Sequence, residues 1–489
     1  MEEEVSIKSK IKELFSHGLI YGLTSSLQSI LGFLLLPILT VYYSPAEFGV
    51  YSIILLASAL ASAIFYFGAS SALGRYYYDE DSTIYRRQIV STALFVTIFG
   101  AILLVLFSVL FGKKLSILLF SSPNYYLHLV LAFSGAAFGF LLNTMTLLLR
   151  YEKRSKLFMI ITLTGVVINF IVTYLLLTRF QLGILAPFYG SFFSMGLCFF
   201  YLLILKFRDL TFNLKWTHVK KIISFGLQLS VSGLLFYFLD YVDRLIMKDL
   251  LPMSDVGIYS LGCRIGVLIN VILILPFSLI WAPIRMQYAK SNNQKFTITV
   301  ASYLAIIGFI IVAFSVLFGE ELMSLIFSNN KYADAAKVFP LIMLSLLFYG
   351  FQNIVDFGIY ITNKIYFFIV ISLIGIVFNI LMNYWLIPYF GFIASAYVTF
   401  LTYFITTSLI YLISSSYHKM ELEWKRIIIP FFVLIILYFS VNFSGNIIFM
   451  NFYFKLFIMF LLLGSLYSYW LVNTERQIIK QIIRKKDVK

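Results

Sequence analysis

The sequence predicts an all-α polytopic membrane protein of about 14 transmembrane helices, built as two six-helix bundles in parallel repeat plus two C-terminal helices. Three observations predict it. Of the 489 residues, 61% are apolar and 12% charged, with a mean hydropathy of +0.93; soluble domains run near ~45–50% and ~25%. Apolar runs of the roughly 20 residues that a bilayer core requires recur along the whole chain. The two halves also match each other at a nearly constant offset. A soluble enzyme of this size could not hide so much apolar surface, and a disordered chain would be poorer in it. No segment alternates with the period of two that a transmembrane barrel needs.

The expected spans, in order, are 14–43, 49–74, 89–111, 127–149, 157–178, 184–205, 222–247, 256–284, 296–318, 338–361, 365–387, 392–413, 427–443 and 447–472. Ahead of the first, Ile7, Ile11, Leu14 and Phe15 repeat at helical spacing between lysines. After the last, Ile478, Ile479, Ile482 and Ile483 do so among Arg476, Lys480, Arg484, Lys485 and Lys486. Both stretches read as interfacial helices on anionic lipid. No cleavable signal peptide is expected, because Glu2, Glu3, Glu4 and Glu13 crowd the start and no small-residue cleavage site follows. An even number of crossings puts both termini on one side. On that side lie 28 of the 37 Lys and Arg residues, against 6 on the other side and 3 inside spans. The bias makes the terminal side cytoplasmic and accounts for the net charge of +15 without nucleic acid. Every loop is short, which leaves no soluble domain for an active site.

At an offset of 208, Phe48-Gly49-Val50-Tyr51-Ser52 falls on Val256-Gly257-Ile258-Tyr259-Ser260, and Ser16-His17-Gly18 on Ser224-Phe225-Gly226. At 207, Phe111-Gly112 and Leu119-Phe120-Ser121 meet Phe318-Gly319 and Ile326-Phe327-Ser328; at 210, Gly165 and Asn169 meet Gly375 and Asn379. A repeat of six helices enters twice with the same orientation, so the halves are related by an axis along the membrane normal. The expected division is residues 1–221 for the first bundle, 222–413 for the second, and 414–489 for two extra helices and a basic tail. Prolines inside spans (Pro37, Pro187, Pro276, Pro283, Pro340 and Pro430) can kink their helices. Pro276 and Pro283, seven apart on the eighth span, read equally as a hinge or as ordinary kinks that shape the bundle. Gly262-xxx-Gly266 and Gly18-xxx-Gly22 permit close helix packing.

Ionisable residues inside spans are the most informative positions, since each costs about 2.5–3.5 kcal/mol or more at the bilayer centre. Asp240, Asp243 and Arg244 share one face of the seventh span, and Arg264 lies on the eighth. The equivalent first-half positions are Gly32, Leu35, Leu36 and Leu56, so the charges belong to the second half alone. Two readings stand side by side: a wet cavity for an anionic group, or a structural ion-pair network. Asp356, with Gln352 and Asn353 one turn before it, forms a polar stripe on the tenth span that faces a cavity or snorkels to the surface. Arg75, followed by Tyr76, Tyr77 and Tyr78, closes the second span as a phosphate contact or an interfacial anchor. Lys455 reads as a lone snorkelling lysine. Cys198 and Cys263 sit in apolar runs, and four histidines without a Cys/His cluster make neither a metal site nor a cofactor expected.

At these residues the chain resembles the bacterial polysaccharide-repeat (O-antigen or capsule) flippases of the multidrug/oligosaccharidyl-lipid/polysaccharide exporter superfamily. The resemblance covers essentially the whole chain. It is carried by Leu39-Thr40 with Ala46-Glu47-Phe48-Gly49-Val50-Tyr51, by Gly74-Arg75-Tyr76, and by Asp243-Arg244 with Val256-Gly257-Ile258-Tyr259-Ser260 and Arg264. It implies a non-enzymatic transporter in the bacterial inner membrane, moving an undecaprenyl-diphosphate-linked oligosaccharide between leaflets by alternating access. Arg244, Arg264 and Arg75 would then meet the diphosphate, through the charge-assisted bonds that guanidinium forms. Asp240, Asp243 and Asp356 would couple H⁺ or Na⁺, and the partners would be membrane lipids and polysaccharide-assembly proteins, with no nucleic acid. The rivals are a multidrug/cation antiporter of the same superfamily, which would want acidic residues that spans one to six lack, and a membrane glycan polymerase, which would want a long outer loop. The peptidoglycan-precursor flippases tend to carry an arginine in the first span, and here that span has no Lys or Arg.

Overall fold

The computed structural model describes residues 20–278, 281, 294–327, 330–362, 364–418, 422, 424–443 and 452–465. Among these residues every regular element is helical and none is a strand. The first half comprises α1 (Ile20–Tyr42), α2 (Pro45–Phe65), α3 (Ala69–Tyr76), α4 (Thr83–Phe120), α5 (Tyr126–Tyr151), α6 (Ser155–Thr178) and α7 (Leu185–Lys206). The second half comprises α8 (Trp216–Leu250), α9 (Met253–Gly266), α10 (Gln294–Leu317), α11 (Gly319–Ile326), α12 (Ala335–Val355), α13 (Phe357–Ile361), α14 (Tyr366–Phe390) and α15 (Phe392–Tyr417). Then follow α16 (Trp424–Phe443) and α17 (Phe452–Ser465).

Twelve helices among the described residues are long and apolar enough to cross a membrane, so the chain is a multi-pass membrane protein. Twelve of the 14 expected spans correspond to them. The seventh is α8, 35 residues long, some of whose side chains lie outside the described set. Of the fourteenth, Phe452–Ser465 is described as helix and the flanking residues lie outside the described set. The interfacial stretches before residue 20 and after 465, Gly18 and Pro283 also lie outside the described residues.

The repeat is visible in the element boundaries. Pro45 begins α2 and Met253, 208 residues on, begins α9. A 3-10 turn at Pro123–Tyr125 recurs 207 residues later at Asn330–Tyr332. The second span departs from the expected unbroken helix in both copies. In the first, Phe67 and Gly68 take left-handed φ values of 52° and 57° and separate α2 from α3. In the second, α9 runs on to Ser278 through a π turn at Asn270–Ile274, just ahead of Pro276, the residue equivalent to Gly68. The missing N–H and the ring of Pro276 disturb the i→i−4 ladder there, and the wider turn accommodates them.

Local chemistry starts the helices. Ser44 and Glu47 form a capping box on α2: Ser44 N–H donates to Glu47 Oε2 at 2.8 Å, and Glu47 N–H to Ser44 Oγ at 3.3 Å. Glycines set the close approaches. In α9, side chains at Gly262 and Gly266 would strike Val338 and Ile342 of α12, so this GxxxG pair does pack two helices together. Buried asparagines clasp neighbouring helices. Asn383 Nδ2 donates to Asn379 Oδ1 at 2.8 Å, and Ser395 Oγ of α15 donates to Asn383 Oδ1 at 2.8 Å. Asn169 accepts from Thr173 at 3.1 Å at the matching place in α6, opposite Gly190.

By packing, the chain divides into two compact units: Met1–Ser260 with Phe327–Lys331 and Ile369–Ser395, and Leu261–Ile326 with Tyr332–Phe368 and Ala396–Lys489. In the first, α4 packs on α5, α5 on α7 and α7 on α6, and α8 lies against α2, α3 and α4. In the second, α10 packs on α12, α16 and α17. These units follow contacts, whereas the division expected at 221/222 and 413/414 rests on the sequence repeat.

Candidate functional site

Within the first unit α2 is held at both ends by backbone contacts. Near Pro45, Gly49 faces Met253 and Gly257: an added Cβ on Gly49 would lie 3.2 Å from Gly257 N, and one on Gly257 2.9 Å from Gly49 N. Just beyond Phe65, Gly68 meets Gly226 of α8 equally closely. Sixteen residues of helical rise, about 24 Å, run from Gly49 to Phe65, just short of the second contact.

Between them opens a cavity of about 560 Å³, within the ~300–1,000 Å³ typical of small-molecule sites. One wall is the α2 face bearing Leu55, Ser58, Ala59, Ser62, Ala63 and Tyr66, at helical spacing. The other is α5, through Ala136, Gly139, Phe140 and Asn143, with Gly68, Ser71 and Ser230 completing the lining. No charged side chain lines it. Tyr66 stacks near Phe140, ring centroids 5.2 Å apart. Its hydroxyl accepts from Asn143 Nδ2 at 3.2 Å and lies 3.2 Å from Thr144 Oγ1. Ser62 Oγ donates to the Ser58 carbonyl at 2.7 Å.

The residues singled out from the sequence lie elsewhere. Asp243 is 2% exposed and Arg244 8%. The Arg244 N–H donates to Asp243 Oδ1 at 2.7 Å, and Nη1 lies 3.5 Å from the same oxygen. The Tyr259 hydroxyl donates to Asp243 Oδ2. The guanidinium lies 4.9 Å and 5.4 Å from the Tyr241 and Tyr259 ring centres. This network joins α8 to α9. The side chain of Asp240 lies outside the described residues, and Arg264 is half-buried in the second unit. Arg75 is exposed, bonded to Asp79 at 2.9 Å one turn on; such a pair contributes little. Asp356 is half-buried at the junction of α12 and α13. Gln352 beside it turns onto α15, donating to Thr406 and Thr407 at 3.2 and 3.1 Å.

Lys455 does not snorkel alone. Its side chain is 4% exposed and donates to Glu321 Oε1 at 2.6 Å, tying α17 to α11. The sequence reading also missed Lys206, 2% exposed between Glu152 at 2.5 Å and Asp209 at 3.0 Å. It missed the cavity as well. Tyr66 and Asn143 had no charge to mark them, and a Ser/Ala/Gly face reads equally as close packing. The capping box was legible in Ser44-Pro45-Ala46-Glu47.

A family model described as "Polysaccharide biosynthesis protein" matches residues 15–289. No curated protein matches the sequence. Among solved structures, the lipid II flippase MurJ in an inward closed conformation is similar over 96% of this chain and 100% of its own, at 15% identity and a TM-score of 0.68. A MOP superfamily transporter from Pyrococcus furiosus is similar over 83% and 95% at 14% identity, TM-score 0.60. An outward-facing multidrug resistance MATE family transporter is similar over 82% and 95% at 13%, TM-score 0.59. The chain therefore has the fold of these transporters.

Proposed function

The chain belongs to the polysaccharide biosynthesis protein family, and from that membership we propose that it is a flippase moving an undecaprenyl-diphosphate-linked oligosaccharide from the inner to the outer leaflet of the bacterial inner membrane. The observation that carries this reading is the uncharged, hydroxyl-lined cavity beside α2. A cation antiporter would place a carboxylate where its substrate sits, and this wall has none. A glycan needs hydrogen bonds rather than a counter-charge.

In this reading both termini are cytoplasmic, so the Gly49–Gly257 contact closes the outer end of α2 and the Gly68–Gly226 contact its inner end. Alternating access opens one while the other holds. The prenyl tail stays in lipid throughout. Arg244 and Arg264 receive the diphosphate and Arg75 meets it at the inner surface, where guanidinium makes strong charge-assisted bonds. Asp240, Asp243 and Asp356 are the groups offered for H⁺ or Na⁺ coupling, and polysaccharide-assembly proteins are the expected partners.

The test is reconstitution of the full chain in proteoliposomes holding a fluorescent undecaprenyl-diphosphate-linked oligosaccharide, with leaflet exchange read by quenching. Exchange is expected, and Arg264→Ala is expected to abolish it, and surface glycan display in cells, while leaving the protein in the membrane. Drug-cation efflux without lipid exchange would overturn the reading in favour of the antiporter. Normal exchange by Arg264→Ala would remove the diphosphate assignment.

A further inference from the structure

We propose that the cavity between α2 and α5 is a subsite for an uncharged sugar ring, with Tyr66 and Phe140 as its apolar platform and Asn143, Ser58, Ser62 and Ser71 as its hydrogen-bonding groups. The inference rests on the flippase reading and adds to it which part of the substrate the cavity takes, and which glycans it refuses.

A pyranose presents a C–H face that lies well against an aromatic ring and an equator of hydroxyls that both donate and accept. The cavity offers both complements. Tyr66 and Phe140 pack on each other with ring planes tilted by 32° and centroids 5.2 Å apart, which leaves apolar ring surface toward the cavity. Of the polar groups, Ser58 and Ser62 already donate to main-chain carbonyls and present lone pairs, while the Asn143 carboxamide and the Ser71 hydroxyl carry donors as well as acceptors. Asn143 and Tyr66 are already bonded at 3.2 Å, so each holds the other in place before a ligand arrives. The rest of the wall is Leu55, Ser230, alanine and glycine, and a Cβ on Gly139 would meet nothing within 4 Å, so the space there is open rather than filled by packing. Neither phosphate nor organic cation finds a counter-charge here. A uronic acid would bury a carboxylate without a cation, which is costly. The cavity therefore selects neutral over acidic sugars.

The test uses the full-length chain in nanodiscs with Ser71→Cys as a thiol reporter, or Ser62→Cys should that variant fold poorly. The two native cysteines are buried, so the new thiol is the one that maleimide reaches. Three probes are compared: a short prenyl diphosphate, the same carrier bearing an N-acetylglucosamine disaccharide, and the carrier bearing a uronic-acid disaccharide. With the neutral glycolipid at ten times its Kd, labelling is expected to slow about tenfold. The bare carrier and the acidic glycolipid are expected to leave it unchanged. Asn143→Leu should weaken protection by the neutral glycolipid about tenfold, the worth of one good hydrogen bond, with binding of the bare carrier intact, and Asn143→Gln should restore part of it. Protection by the bare carrier, by the acidic glycolipid or by tetraphenylphosphonium equal to that by the neutral one would overturn the subsite. If the carriers bind but none protects position 71, the subsite alone fails. If no carrier binds at all, the flippase reading fails with it.

Discussion

Gly49 of α2 and Gly257 of α9 are equivalent positions in the two repeats, and they pack against each other backbone to backbone. Each helix offers the other the carbonyl at the same relative position: Pro45 O lies over Gly257 and Met253 O over Gly49. Ser52 and Ser260, equivalent in the same way, follow three residues later, and both are buried. A side chain at either glycine has no flexible neighbour to displace, because what it meets is main chain.

Gly257→Ala and Gly49→Ala should each force α2 and α9 apart. Overpacking of a close interface costs about 1–3 kcal/mol. The expected result is a lower unfolding midpoint in detergent and faster labelling of a Ser52→Cys reporter. An unchanged midpoint and unchanged labelling for both variants would show that the contact does not close this end.

Asp243→Leu should be strongly destabilising, on the order of 3–5 kcal/mol, because it removes the buried carboxylate that meets both Arg244 and the Tyr259 hydroxyl. The double variant Asp243→Leu with Arg244→Met should recover most of that stability. Comparing glycan display in the double variant separates the two readings of the charges. Display restored together with stability makes the network structural; display still absent in a stable protein assigns Arg244 to the substrate.

Lys455→Met should loosen α17 from α11 by about 1–3 kcal/mol, the worth of a charge-assisted bond, discounted because Glu321 is 36% exposed. Limited proteolysis after residue 443 should quicken while the first unit stays protected. Equal protection in both proteins would show the pair to be idle.

Asn383→Leu removes the bonds to Asn379 and Ser395 at once. Interhelical hydrogen bonds in membranes are worth about 0.6–2 kcal/mol. A loss of that size is expected in the unfolding midpoint, and Ser395→Ala on the same background should add little, since the two residues share one interaction.

His218 gives a pH signature. It lies buried in the first turn of α8 against the Tyr85 ring, 5.5 Å between centres. Burial, with Lys215 and Lys221 nearby and only Glu80 opposing, holds its pKa below the ordinary 6.5. The unfolded chain therefore binds a proton at a pH where the folded chain does not. Stability from this residue is complete above about 6.5 and falls as the pH drops from there through the folded pKa. His218→Phe should flatten that slope, measured as the unfolding midpoint between pH 7.5 and 5; an unaltered slope would place the proton elsewhere.

The residues tell unevenly in advance of the fold. Apolar runs announced nearly all the spans, yet the break at Phe67-Gly68 was hidden, since the run continues across it and only the left-handed backbone reveals it. Gly262-xxx-Gly266 announced a packing face correctly but not its partner, α12. Lys455 read as a lone snorkelling lysine, and Lys206 carried no mark, because the carboxylates Glu321 and Glu152 lie 134 and 54 residues away in the chain.

What the sequence determined by itself was membrane residence, the helical class, the charge bias between the two sides and the duplication. Partition between water and lipid acts on each segment separately, and a repeat is a relation of the sequence to itself. What only the tertiary structure decided was which charges are paired and where space is left open. Asp243 turns to Tyr259, and Ser62, Tyr66 and Asn143 come to face a void. Both outcomes depend on which helices meet and how closely, and a small polar side chain looks the same in sequence whether its neighbour fills the gap or leaves it.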